Sequence, residues 1–469
     1  MNAVVTNQAP CKFTLFFITN WLKYILKYYC DLIINFAILQ SIQNHLEYIV
    51  KFSPRLLPLF VFLASTHAYA TDGYFAHGYG VKSQGIGGVG IALPQDALAA
   101  ASNPAGLGLV GDRLDIGVTW FRPQRETKLE NTTFGFKMFD GTYDANDTEN
   151  FIIPEFGYNK QINPDVTVGV SVYGNGGMNT DYKKAIPLLG TSPAGVDLVQ
   201  LFVAPTVTWK ITPSNTIGAS LNLAYQRFEA TGLQNFDNPF FTKHPGKVTN
   251  KGHDSSTGFG LHLGWIGQIN DAVTLGATYQ TKTRMSKFSD YKGLFAEGGD
   301  FDIPATYGVG LAVKATPALT LAADVQRIEY SDVDSVGNSI NNLLLKGNPL
   351  GSSKGPGFAW RDVTAVKIGA LYAYNENLTL RAGYNHSTQP IRKSETLFNI
   401  LAPGVVQDHV TLGATYVLPN NGELSFAYMH AFEEKVKGNN NSIPAGFGGG
   451  EANLKMYEDS LGVAYGWRF

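Results

Sequence analysis

Residues 457–469 read YEDSLGVAYGWRF. Tyr457, Leu461, Val463, Tyr465, Trp467 and Phe469 share one parity with Asp459; Glu458, Ser460, Gly462, Ala464, Gly466 and Arg468 share the other. Side chains alternate across a strand. This is therefore a strand with one bulky apolar face and one small or polar face. In a soluble sandwich, the small face turned inward would leave a void. In a closed barrel it leaves room for an inserted segment or a channel. Closure also pairs every backbone group, as hydrocarbon surroundings demand. Asp459 on the apolar face is tolerable near a membrane interface, where charge costs less.

The same split recurs upstream. Val410, Leu412, Ala414, Tyr416 and Leu418 oppose Thr411, Gly413 and Thr415. Leu378, Leu380, Ala382 and Tyr384 oppose Thr379, Arg381 and Gly383. Ile217, Ala219, Leu221, Leu223 and Tyr225 oppose Gly218, Ser220, Asn222 and Ala224. Fourteen such strands are expected, at 113–122, 151–161, 165–173, 201–211, 216–228, 257–268, 272–284, 303–315, 319–330, 362–374, 378–384, 408–418, 423–431 and 457–469. Their connections alternate. Short ones, such as Asn163-Pro164, Asn270-Asp271 and Pro419-Asn420-Asn421-Gly422, suit hairpin turns. Long polar ones fill 123–150, 174–200, 229–256, 285–302, 331–361, 385–407 and 432–456. Short turns at one end and long loops at the other mark an all-β transmembrane antiparallel barrel of about 14 strands. The short turns are expected on the periplasmic side of a bacterial outer membrane.

Composition agrees. Charged residues make up 16% of the 469-residue chain, against about 25% for an ordinary soluble protein. The 51 Gly, 23 Tyr and 29 Phe suit tight turns and aromatic girdles. A net charge of -2, with no basic stripe, offers nothing to a nucleic acid.

Residues 71–111 break the pattern: TDGYFAHGYGVKSQGIGGVGIALPQDALAAASNPAGLGLVG. This Gly- and Ala-rich segment has no strand alternation and is expected to be an N-terminal plug, or hatch, inside the lumen. Gly85 to Gly90 match G-x-G-x-x-G, but no strand precedes them and Pro94 follows. A dinucleotide site needs a strand before and a helix after, so these glycines are expected to allow close packing. Asp96 can cap a short helix over 97–101, and Asn103-Pro104-Ala105-Gly106 reads as a turn. The glycine run 78–90 is expected to be the less restrained part of the plug.

Upstream, Lys51 to Arg55 is basic, 56–64 (LLPLFVFLA) is apolar, and Ala68-Tyr69-Ala70 is an A-x-A site. Together these form a signal peptide over 50–70. Residues 1–49 do not fit in front of a signal, and an extension mis-assigned ahead of a start at Val50 is the reading. Cys11 and Cys30, the only cysteines, lie upstream of the cleavage site, so the mature chain holds no disulfide.

In combination, the segment Asp96 to Leu107 (DALAAASNPAGL), its Asn103-Pro104-Ala105 core, the strand count and the terminal phenylalanine resemble the FadL/TodX family of outer-membrane transporters. The resemblance covers about 71–469. It implies passive uptake of long-chain fatty acids or aromatic hydrocarbons by a monomer among outer-membrane lipids, with no cofactor and no metal. It also implies a plug that gates passage and a lateral opening where the third strand kinks, near Gly169 and Gly174.

Candidate ligand contacts are Tyr74, Phe75 and Tyr79 in the plug and Phe236, Phe240, Phe241, Leu294 and Phe295 in the loops, since apolar pockets bind such molecules. Lys82 suits either a fatty carboxylate or a wall carboxylate such as Glu155. Three other classes compete, an adhesin or structural barrel among them. A lipolytic enzyme would use a serine and histidine on the outer face, although G-x-S-x-G is absent; a metal site needs clustered ligands, and His77, His253, His262, His386, His409 and His430 are scattered. A general diffusion porin would conduct freely.

Overall fold

The structure is a computed structural model that describes residues 72–132, 139–439 and 442–469. The expected extension 1–49 and signal peptide 50–70 lie outside the described residues. Fourteen strands form one antiparallel sheet closed on itself. They are β1 (Arg113–Glu130), β2 (Phe151–Gln161), β3 (Val166–Ala185), β4 (Pro193–Thr212), β5 (Asn215–Thr231), β6 (Asp254–Gln268) and β7 (Val273–Gln280). The series continues with β8 (Thr306–Lys314), β9 (Leu319–Ile328), β10 (Val363–Ala373), β11 (Leu378–Ser387), β12 (Asp408–Val417), β13 (Glu423–Val436) and β14 (Glu451–Arg468). Each strand pairs with its neighbours in sequence, and β14 closes on β1 from Arg113↔Arg468 to Glu130↔Glu451. Two short strands, Gly141–Asp144 and Arg284–Met285, attach from loops.

The two faces follow the alternation. Leu461, Trp467, Leu412, Tyr416, Leu221, Leu223 and Tyr225 point outward and are exposed, as a lipid-facing wall requires. Glu458, Ser460, Thr411, Thr415, Ser220 and Asn222 point inward and are buried. Asp459 sits on the outer face. There it accepts hydrogen bonds from Tyr428 Oη (2.7 Å) and pairs with His430 Nδ1 (2.9 Å), which satisfies its charge.

Several strands run further at the long-loop end than the sequence suggested. β1 continues to Glu130 instead of stopping near residue 122, and β14 starts at Glu451 instead of 457. Beyond the lipid band the outward residues turn polar, so the hydropathy signal fades while the pairing persists. Inward burial of Arg125, Thr127 and Leu129 keeps the two-residue period. β7 is shorter than expected. It ends at Gln280, and the chain rejoins the sheet only at Arg284–Met285.

Candidate functional site

The segment 72–111 occupies the lumen and meets the wall nearly all the way round. Val81 N–H donates to Glu155 of β2 (2.9 Å) and Gly87 N–H to Thr411 of β12 (2.7 Å). Gly90 and Ile91 N–H groups donate to Asp324 of β9 (2.8 and 3.0 Å). Wall glycines receive the plug backbone. A Cβ at Gly383 would lie 2.1 Å from Gly87 N, and one at Gly369 would lie 2.4 Å from Ile86. The glycine run is therefore a packing device, as the sequence suggested. It is not the looser part of the plug: residues 80–91 are buried, and their N–H groups are anchored on three walls.

Asn103 fixes the other end. Its Nδ2 donates to Ile91 O (2.8 Å) and to Trp265 O of β6 (3.0 Å), and its Oδ1 accepts from Ala105 N (3.1 Å). Pro104 opens a 3-10 helix, Pro104–Leu109, where its missing N–H costs nothing. The expected helix over 97–101 is only a three-residue 3-10 turn, Ala99–Ala101. Asp96 does not cap it: the N-cap position is Leu98, with no side-chain cap bond, and the Asp96 carboxylate accepts from Leu98 N (2.9 Å) just ahead of the turn.

Charges gather beneath the plug. Lys82 pairs with Glu423 of β13, which also takes Arg113 Nη2 (2.7 Å) and Arg468. Arg113 grips Asp115 through two 2.7 Å contacts. Lys82 thus meets a wall carboxylate, but Glu423 rather than Glu155. Burial, then the Arg113 charge, pushes its ammonium below the usual lysine range. Burial, then the Asp115 carboxylate, pushes Asp96 upward.

An apolar path lies above. Phe236, Leu294 and Phe295 line a narrow cleft with Leu189, Val196, Phe228, Leu233, Leu350, Phe358, Phe398 and Leu401; the one polar side chain in the lining is Ser335. Phe241 packs tilted against Phe236 (5.4 Å) at its edge, whereas Phe240 is 80% exposed and stays outside. From the cleft, rings continue inward. Phe295 meets Phe301 (4.8 Å), Phe301 meets Tyr74 (6.1 Å), and Tyr74 meets Tyr330 (4.9 Å), Trp360 (5.8 Å) and Phe75 (5.4 Å). Tyr79 packs on Tyr173 of β3 (4.9 Å). Sequence reasoning missed Phe228, Phe301, Tyr330, Trp360, Phe358 and Phe398. Four of these lie in the loops 331–361 and 385–407 or beside them, and their aromatic content was the available signal.

The path ends at a break in the wall. β2 and β3 pair from Gln161↔Thr167 only as far as Phe156↔Val172. Just beyond, the β3–β4 register shifts between Gly174 and Gly176. The plug takes up the freed edge: Phe75 bridges Gly176, Gly177 N–H donates to Tyr74 O (2.9 Å), and Ala76 N–H donates to Asn175 O (3.2 Å). Gly174 stands at this irregularity, and Gly169 lies within regular pairing. Among the described residues no group of three or more His, Cys, Asp or Glu is placed to hold a metal.

A family profile described as "Outer membrane protein transport protein (OMPP1/FadL/TodX)" matches residues 67–469. A protein of Neisseria meningitidis serogroup B assigned to the outer membrane is 23% identical over 453 residues, covering 87% of this chain and 96% of its own. Among solved structures, the Pseudomonas putida toluene transporter TodX is similar at 18% identity and a TM-score of 0.62, covering 84% of this chain and 99% of its own. A Pseudomonas aeruginosa FadL homologue is similar at 16% identity and 0.62, covering 84% and 98%. At such identities the structural likeness speaks for the fold.

Proposed function

The chain belongs to the OMPP1/FadL/TodX family of outer-membrane transport proteins, and on that premise we propose that it carries uncharged hydrophobic molecules passively inward across the bacterial outer membrane. The observation that carries this reading is the unbroken run of rings from the loop cleft through Phe295, Phe301 and Tyr74 to the β3 irregularity at Gly176. The molecule enters the cleft from the long-loop side, where apolar burial supplies about 25 cal/mol per Å². It displaces the plug's Tyr74–Phe75 edge and leaves sideways through the unpaired stretch between β2 and β3. The short turns face the periplasm.

The cleft favours a neutral substrate. Its lining has no cation, and Lys82 is committed to Glu423 below the plug. An aromatic hydrocarbon, such as the toluene carried by the P. putida transporter, fits that lining better than an ionised fatty acid. The test is growth and uptake in a deletion strain given an aromatic hydrocarbon, an alkane, a long-chain fatty acid and a small sugar. Loss of hydrocarbon uptake alone supports the proposal. Loss confined to the fatty acid would change the substrate class, equal loss of sugar would favour an open porin, and no loss would end the transport reading.

A further inference from the structure

We propose that the outer wall of β9–β11 binds a phosphorylated acyl lipid of the outer leaflet. Two features on the same three strands lead there. The first is a polar groove at the long-loop end, lined by Arg327, Arg361, Arg392, Ser331, Thr388 and Gln389, with Asp362 its one carboxylate. Arg327 continues the outward parity of Leu321, Ala323 and Val325, and Thr388 continues that of Tyr384 and His386, so the groove faces the surrounding membrane. Asp362 is already engaged: it takes Arg327 Nη2 (2.8 Å) and both Ser331 N (2.9 Å) and Ser331 Oγ (2.7 Å). Among the described residues the Arg361 guanidinium reaches only a backbone carbonyl, Gln389 O (2.9 Å). Arg392 is exposed and forms no ion pair among the described residues. Beyond β9, Glu329 and Asp332 lie on the Arg327 side of the groove, with Lys282 donating to the Asp332 carbonyl. The groove therefore presents two unneutralised guanidiniums beside a third, a donor set that suits the forked geometry of phosphate.

The second feature lies directly below. Ala323, Ala370 and Ala382 floor a shallow apolar groove, flanked by Leu321, Ile368 and Tyr384. Ala370 pairs with both Leu321 and Ala382, so the small side chains adjoin across strands and indent an otherwise bulky wall. Ala323 and Arg327 are four residues apart, roughly 13 Å at about 3.3 Å per residue. Acyl chains laid on the alanines place a head-group phosphate at the arginines. Arginine on a lipid-facing register is expensive in hydrocarbon and cheap at the interface, which is where such phosphates lie. A free anion would have no use for the apolar half.

The test uses the full chain purified in a nonionic detergent and native mass spectrometry. The probes are bis-phosphorylated lipid A, the same lipid after dephosphorylation, and inorganic phosphate. Bis-phosphorylated lipid A is expected to bind at least about tenfold more tightly than the dephosphorylated form. The double variant R361Q/R392Q, at two exposed positions, is expected to lose about tenfold, and Ala370→Phe, which fills the lower groove, to weaken lipid binding with the barrel intact. Equal binding of the dephosphorylated lipid, or an unchanged R361Q/R392Q, overturns the proposal. Full displacement by inorganic phosphate with Ala370→Phe unaffected would make this a free-anion site and overturn it too.

Discussion

Asn103 is seated directly on Gly264: a Cβ at Gly264 would lie 1.9 Å from Asn103 Oδ1 and 2.9 Å from Pro104 Cδ. Gly218 on the adjacent strand β5 is also close, where a Cβ would lie 2.4 Å from Ala105 N. The turn and two wall glycines form one joint, so changes on either side should act alike. Gly264→Ala is expected to lift the turn while the barrel still assembles, seen as a retained heat-modifiable band with raised small-ion conductance in planar bilayers. Asn103→Ala should behave similarly, losing about 1–3 kcal/mol for buried carbonyls left without a donor. A Gly264→Ala channel as closed as the parent would show that the joint does not hold the plug.

Glu423 is 2% exposed and carries three cations, Lys82, Arg113 and Arg468. Glu423→Ala strands the buried Lys82 and leaves Arg113 with Asp115 alone, and is expected to cost about 3–5 kcal/mol. Lys82→Met removes one cation and leaves the carboxylate with two arginines, so it should cost clearly less. Urea unfolding of vesicle-folded protein measures both. The reverse order would mean that Lys82, not Glu423, is the centre of the cluster.

His77 ties the plug to pH. Burial, and next the charge of His409, holds its imidazole down to about 3. The ring stacks 6.0 Å from His409, Nε2 meets Gln84 O at 3.3 Å, and Asp72 and Lys367 stand nearby. The docked plug thus keeps His77 neutral, whereas an undocked plug takes up a proton below about 6.5. Docking is at full strength above that value and weakens as pH falls toward 3, by up to about 1.4 kcal/mol per unit. Hydrogen exchange in residues 72–90 should therefore rise on acidification, and His77→Gln should flatten the rise. Identical profiles in both proteins would assign the effect to another group.

The strands were legible because lipid on one side and a small-residue lumen on the other impose a two-residue period over most of the wall. Leu412 and Thr411, or Leu461 and Ser460, separate on that basis alone. The joint at Asn103-Pro104-Ala105 was legible as a turn. What it rests on was not, because Gly218 and Gly264 look like any small inward residues until the plug is placed. The partner of Lys82 was hidden for the same reason: Glu423 is 341 positions away, and only barrel closure brings it near. The cleft was read in part, since Phe236, Leu294 and Phe295 converge there. Phe301, Tyr330 and Trp360 join them through loop folding that carries no periodicity.

The last prediction separates opening the side path from unplugging the barrel. Gly176 takes the plug's N-terminal edge so closely that a Cβ there would lie 2.0 Å from Tyr74 O. Gly176→Ala must push that edge away, breaking the Gly177 N–H bond to Tyr74 O and the Ala76 N–H bond to Asn175 O. The Asn103 joint is untouched by this change, as are the plug contacts to Glu155, Thr411 and Asp324. The lumen should stay closed to polar solutes while the route from Tyr74 to the unpaired β2–β3 stretch opens. In cells, uptake of an uncharged apolar dye is expected to rise several-fold in Gly176→Ala with sugar influx unchanged. Gly264→Ala should raise both. If Gly176→Ala slows dye uptake or admits sugar, then the Tyr74–Gly176 bridge is part of the plug's seal rather than the gate on the lateral route.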